Sequence, residues 1–149
     1  MTAAFAALAV AASFAQQPSV PFTTVVRGDA GSQEGARFDV RAIRSEAAWR
    51  AEWRRLNRHL SPAPERPRVD FRRRMLILAT TGHRRTGGYG ISVRSIRRSG
   101  RRLVVRAEER APGTRCFVTQ AHTSPYHVVR VRRTAARVSA VRRRIVRDC

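Results

Sequence analysis

Met75-Leu76-Ile77-Leu78-Ala79 is apolar at five consecutive positions. A strand half-exposed to water would alternate, so this run predicts a central strand covered on both faces. The neighbouring runs behave differently. Ile91 and Val93 alternate with Ser92 and Arg94, then Ser99-Gly100 supplies a turn, and Leu103, Val105 and Ala107 alternate in turn. These two runs predict a hairpin that buries one face only. Pro112-Gly113 ends it. Val129 and Val131 alternate with arginines, and Val138 to Val146 supplies a last strand. Upstream, Phe22 to Val26 is a short apolar run, followed by a loop carrying Gly28, Gly31 and Gly35. Phe38, Val40 and Ala42 then alternate with Arg37, Asp39 and Arg41. The two upstream runs are expected to pair with each other as a loose hairpin.

One segment has a different period. Trp49, Trp53 and Leu56 are spaced i, i+4, i+7, which places them on one helical face, while Arg50, Arg54 and Arg58 fall largely on the other. Ser45 is an N-cap, and Glu46 suits the positive end of the helix dipole. A helix over Glu46 to His59 follows, with its tryptophans packed as core. The prolines of Ser61 to Pro67 make the next stretch an extended connector. The expectation is one α+β domain over residues 22–149, with six or seven short, mostly antiparallel strands and one amphipathic helix packed on the sheet. Strands separated by turns exclude a doubly wound fold.

The chain has 149 residues, enough for one core. Residues 3–15 read AAFAALAVAASFA. This run is too short to cross a membrane, but it has the composition of a signal-peptide core, with Ser13-Phe14-Ala15 as a cleavage site. Residues 1–15 are therefore expected to direct export, and 16–21 to form a linker. No transmembrane segment is expected. Cys116 and Cys149 can pair in an oxidising compartment; the alternative is two separate thiols. The formal net charge is +21, from 31 basic residues that are all arginine, against 10 acidic ones. The absence of lysine beside abundant alanine and glycine points to GC-rich coding. The electrostatic consequence stands whatever its origin: such a surface attracts polyanions at low salt.

Two loops stand out from this arginine-rich background: Thr86-Gly87-Gly88-Tyr89, and Thr119-Gln120-Ala121-His122-Thr123-Ser124-Pro125-Tyr126-His127. The first has glycines and flanking arginines that could cradle an anion, yet no Gly-Lys-Ser/Thr of a nucleotide loop follows. A tight strand-joining turn explains it more simply. In the second, Ser124 with His122 and His127 invites a hydrolase reading. No Gly-x-Ser-x-Gly elbow is present, and a serine before proline is a turn residue. His122, His127 and Cys116 lack any zinc-ligand spacing. The arginines of the 91–107 hairpin and of 130–147 have no interleaved aromatic platform of the kind single-strand binders use. No catalytic residue, metal or cofactor is expected.

Together with Val69-Asp70-Phe71, the apolar strand and Pro112-Gly113, these loops resemble the C-terminal domain family of the protease-complex subunit PrcB. The resemblance runs from roughly Phe22 to Ile145. It implies an exported, non-catalytic domain that binds and stabilises a protease or another envelope protein. The loop residues Thr86, Gly87, Gly88, Tyr89, Gln120, Thr123, Ser124, Pro125, Tyr126 and His127 are then the candidate binding residues, expected to meet in space. The other expectation is a polyanion binder acting through arginine, on nucleic acid, anionic lipid or polysaccharide. Salt separates the two, because only the second should weaken steeply as salt rises.

Overall fold

The computed structural model describes residues 16–149. The expected signal peptide, 1–15, lies outside the described residues. Seven strands and one helix follow in the order β1 (Thr23–Asp29), β2 (Asp39–Ile43), α1 (Glu46–Asn57), β3 (Arg74–Thr80), β4 (Gly90–Ser99), β5 (Arg102–Pro112), β6 (Pro125–Arg132) and β7 (Arg137–Arg147). The α+β class expected from the sequence is correct.

The strands divide into two sheets, which the sequence reading did not anticipate. Sheet 1 has the order β1-β6-β3-β2 and is antiparallel throughout. Sheet 2 has the order β4-β5-β7; β4 and β5 are antiparallel, and β7 runs parallel to β5. The expected hairpin of the first two strands does not form. β1 pairs with β6 and β2 with β3, so two strands stand between them. The loop joining them has to span that width, and its turn residues reflect a crossing rather than a tight reversal.

Both faces of β3 are covered, as its five apolar residues require. Met75, Ile77 and Ala79 face sheet 2 and join Val129, Val131, Ile91, Val93, Ile96, Leu103, Val105 and Ala107 in one core. Leu76 and Leu78 face the opposite way, with Val128 and Tyr126, against Trp49, Trp53 and Leu56 of α1. The molecule is therefore three layers: helix, four-stranded sheet, three-stranded sheet. α1 is capped as read, Ser45 Oγ accepting from Ala48 N at 3.1 Å. Each indole N–H finds a carbonyl of the proline-rich connector: Trp49 Nε1 donates to Pro67 O at 2.9 Å and Trp53 Nε1 to Pro64 O at 3.0 Å. The connector thus straps the helix while leaving no buried indole donor unpaired.

Residues 16–21, expected as a linker, are fastened along β4. Ser19 bridges Arg97, and Val20 N donates to Ile96 O at 2.9 Å. Cys116 and Cys149 form a disulfide. It ties the end of β7 to the loop between β5 and β6. Among the described residues no helix is long and apolar enough to cross a membrane.

Candidate functional site

The site sits at one end of the layers, where β3 ends, β5 ends and β6 begins. The two signature loops meet there. Arg84 and Thr123 exchange backbone hydrogen bonds of 2.8 and 2.9 Å, and Gly87 N donates to Thr119 O at 2.9 Å. Thr123 Oγ1 donates to Thr86 O at 2.8 Å. Gly87 and Gly88 make this approach possible. A Cβ on Gly87 would stand 2.4 Å from Thr119 Oγ1, and one on Gly88 2.9 Å from Val118 Cγ1. These glycines serve the meeting of two loops, as close backbone approach demands.

Under the loops lies a charged group that the sequence reading passed over. Glu109 is fully buried on the inner face of β5. Its Oε1 accepts from Arg84 Nε at 3.2 Å, and its Oε2 from Arg142 Nε at 2.7 Å, with a second N–H of each guanidinium also engaged. Arg84 belongs to the first loop and stacks over Tyr89 at 5.3 Å from the ring centroid. Arg142 belongs to β7 and stacks over Phe38 at 4.9 Å. One carboxylate therefore holds a signature loop and the last strand together. The sequence grouped Arg142 with the other arginines of 130–147; the structure sets it apart as a partner of a buried carboxylate. The signal was present: Leu103, Val105, Ala107 and Ala111 mark the inward positions of β5, and Glu109 is in phase with them.

Much of the second loop turns inward. Ser124, Pro125, Tyr126 and His127 are all buried. Tyr126 lies over Gly28, where a Cβ would come within 2.6 Å of its hydroxyl oxygen. Burial, with the Asp29 charge nearby, raises the Tyr126 pKa. Ser124 N donates to Asp29 Oδ1 at 2.8 Å; its hydroxyl has no partner among the described residues. His127 belongs to sheet 1 but accepts from Val93 N of sheet 2, at 2.9 Å to Nδ1. The ring proton is thereby assigned to Nε2, which donates to Thr24 Oγ1 at 2.9 Å. Burial, then the Arg27 charge, lower its pKa to about 4. His127 is a neutral pin between the sheets.

The exposed part of the site is narrower. Thr119, Gln120, Ala121 and His122 are exposed, and Thr86 and Tyr89 are half-buried beside them. His122 stacks edge-on against His83 at 4.9 Å. Two residues before Thr119 in the chain, Phe117 is 105% exposed, in a loop closed by the Cys116–Cys149 disulfide. Val118 packs toward Gly88 and Pro112, so the loop is held on both sides of Phe117. The sequence reading did not single out Phe117. An aromatic outside any alternating run, beside a cysteine, was its only mark.

Ser124 and His127 are not arranged as a nucleophile and its base. Ser124 is buried with its hydroxyl unpartnered among the described residues, and His127, three residues on, spends both ring nitrogens on structural bonds. Among the described residues no three His, Cys, Asp or Glu side chains cluster as a metal site would need. The family model described as PrcB C-terminal matches residues 75–132. That span runs from the first buried residue of β3 to the end of β6 and contains Glu109, Phe117 and both loops. No curated protein and no solved structure matches the chain. The match over 75–132, falling on the residues that build the site, supports this chain's place in the PrcB C-terminal domain family.

Proposed function

We propose that this is an exported, non-catalytic accessory domain that holds a protein partner, a protease of the envelope or secreted space, through the surface formed by Phe117, Gln120, Thr86 and Tyr89. The carrying observation is Phe117: a fully exposed aromatic on a loop fastened by a disulfide and by the Gly87–Thr119 hydrogen bond. Aromatic anchors dominate protein interfaces, and a pre-ordered loop loses little entropy on binding. Thr123, Ser124, Pro125, Tyr126 and His127 set the position of this surface from below. The family match supports protease association. The disulfide is consistent with export.

The test compares the lifetime of the captured protease in cells carrying the native protein, Phe117→Arg, or none. The reading expects Phe117→Arg to resemble the deletion while the variant itself accumulates normally. Equal protease lifetimes in all three would contradict it.

A second reading, attraction of polyanions, is favoured by the uncovered outer face of sheet 2. Arg94, Arg97, Arg102, Arg106, Arg110 and Arg143 alternate there with inward apolar residues, and Glu108 is the one acidic residue among them. Loss of binding to heparin between low and moderate salt would test it; salt-insensitive binding would contradict it.

A further inference from the structure

β7 ends sheet 2 and has one neighbour in it, β5. Their parallel register runs unbroken from Arg102↔Arg137 to Pro112↔Arg147. Arg137 N donates to Arg101 O at 2.9 Å, and Gly113 N donates to Arg147 O at 2.9 Å. The odd-numbered residues of β7 therefore turn their peptide groups toward β5, and the even-numbered ones turn theirs away. At Ala140, Arg142, Arg144 and Val146 the outward N–H and C=O pair with no backbone group among the described residues. All four residues are exposed. The opposite edge of the sheet is partly covered, because residues 18–20 bond along β4.

An open edge invites another strand, and folds commonly blunt it with a proline, a bulge or a short strand. β7 has 11 residues, no proline and no break in register. What it does have is charge of one sign: five arginines and no acidic residue. Arg142 is held by Glu109, while Arg137, Arg143, Arg144 and Arg147 form no ion pair among the described residues. This charge selects the occupant. A second copy of β7 would set arginine against arginine, and like charges on paired strands repel. A phosphate backbone would match the charge but not the edge, since its oxygens only accept, whereas the row of outward peptide groups presents donors and acceptors alike. A strand carrying carboxylates satisfies both.

We propose that the free edge of β7 takes up an extended acidic segment of the protein partner as an additional strand. Its backbone bonds the outward peptide groups from Ala140 to Val146, and its carboxylates meet Arg143 and Arg147 on the outer face of sheet 2. The proposal rests on the reading that this domain holds a protein partner, and names the element of that partner it grips. The edge is continuous with the surface already described. Arg147 O, at the end of β7, accepts from Gly113 N, and the Cys116–Cys149 disulfide fastens the strand's end to the residue before Phe117. Val146, 60% exposed, and Phe117 thus bring two uncovered apolar side chains to the end of an otherwise basic edge.

The experiment is amide hydrogen exchange by NMR, with a short capped peptide that alternates glutamate and valine, and with its counterpart carrying arginine for glutamate. In the free protein the Val141, Arg143 and Ile145 amides should be protected by β5, and those of Ala140, Arg142 and Arg144 should exchange fast. The acidic peptide should slow the second set by more than about tenfold and the basic one should not. Ala140→Pro removes one outward donor without changing charge. It should weaken binding of the acidic peptide by more than about tenfold, while Ala140→Val binds like the native protein. Equal binding by the Pro and Val variants, or binding that leaves the outward amides fast, overturns strand addition and leaves only attraction of charge. No binding of the acidic peptide overturns the proposal outright. In cells, a normal protease lifetime with Ala140→Pro but a shortened one with Phe117→Arg overturns the edge and leaves the partner reading standing; equal lifetimes in the native and deleted strains overturn the partner reading itself. If Ala140→Pro melts early, Arg144→Pro is measured against Arg144→Gln, with the same outcomes deciding.

Discussion

Glu109 and Arg84 are 25 residues apart in sequence and lie in different layers of the end of the fold, yet Glu109 Oε1 accepts from Arg84 Nε at 3.2 Å in a setting where the carboxylate has no exposure to water. Arg142 engages the other oxygen. Three elements converge on one buried negative charge: the first signature loop, β5 and β7. Removing the carboxylate leaves two guanidinium groups facing each other without compensation.

Glu109→Ala should therefore destabilise the domain by about 3–5 kcal/mol, the range for breaking a buried ion pair from one side. Arg142→Ala, whose side chain is 39% exposed, should cost less. Urea denaturation of both variants checks the ordering. A Glu109→Ala cost within about 0.5 kcal/mol of zero, the range of ordinary surface substitutions, would remove Glu109 from the account.

His127 gives the stability a pH dependence of known sign. Its pKa is about 4 in the folded protein and about 6.5 when unfolded. The unfolded chain thus takes up a proton that the folded ring refuses, and folding loses stability as pH falls from about 6.5 to about 4. Above that window the contribution is complete; below it no more is lost. A shift of this size corresponds to about 3 kcal/mol. Protonating Nδ1 would also end the bond from Val93 N. Denaturant midpoints across pH 4 to 7 should fall toward acid in the native protein, and the fall should be shallower in His127→Gln. Parallel profiles would show that His127 does not carry the effect.

Gly82 and Gly35 separate backbone strain from collision. Both have positive φ, 72° and 77°. A Cβ on Gly35 would meet nothing within 4 Å, whereas one on Gly82 would stand 2.4 Å from the carbonyl carbon of Arg37. Gly35→Ala should cost about 1–2 kcal/mol, the left-handed penalty alone. Gly82→Ala should cost clearly more, because backbone on the neighbouring loop must move. Thermal melts of the two variants side by side test this, and equal losses would contradict the packing described at Gly82.

The Cys116–Cys149 bond closes a span of 33 residues, for which chain-entropy models give about 3–4 kcal/mol. Cys149→Ser should lower stability by that order and loosen the loop that carries Phe117. Trypsin should then cut after Arg115, which is exposed, faster than in the oxidised protein. Unchanged cutting would show that the loop is held without the disulfide.

What could be read beforehand followed from local periodicity. Met75–Ala79 announces a strand covered on both faces, and Trp49, Trp53 and Leu56 announce the buried face of α1. The hairpin of β4 and β5 is fixed by Ser99-Gly100. The partition into two sheets was not legible, because inward alternation in β4 and β5 fits one sheet or two equally well. The pairing of β1 with β6 joins Thr23 to Arg130, and no short-range signal encodes a partner that distant. At the site, the two loops were identifiable by composition, and they do meet. Which of their residues face solvent was not, since Tyr126 and His127 have the chemistry of a binding surface and the burial of a core. Phe117 escaped for the opposite reason: exposure is a property of the folded loop, and one phenylalanine in a turn carries no pattern.

The central claim is that the ordered loop around Phe117 recognises a protein partner while the residues beneath it hold the fold. The most direct measurement is paired: melting temperature, and capture of the protease partner by crosslinking in intact cells, for Phe117→Ala/Gln120→Ala and for Thr123→Ala. The account predicts that the first variant loses capture with an unchanged melting temperature, and that the second melts earlier because Thr86 O loses its donor. Undiminished capture by the Phe117→Ala/Gln120→Ala variant would contradict it.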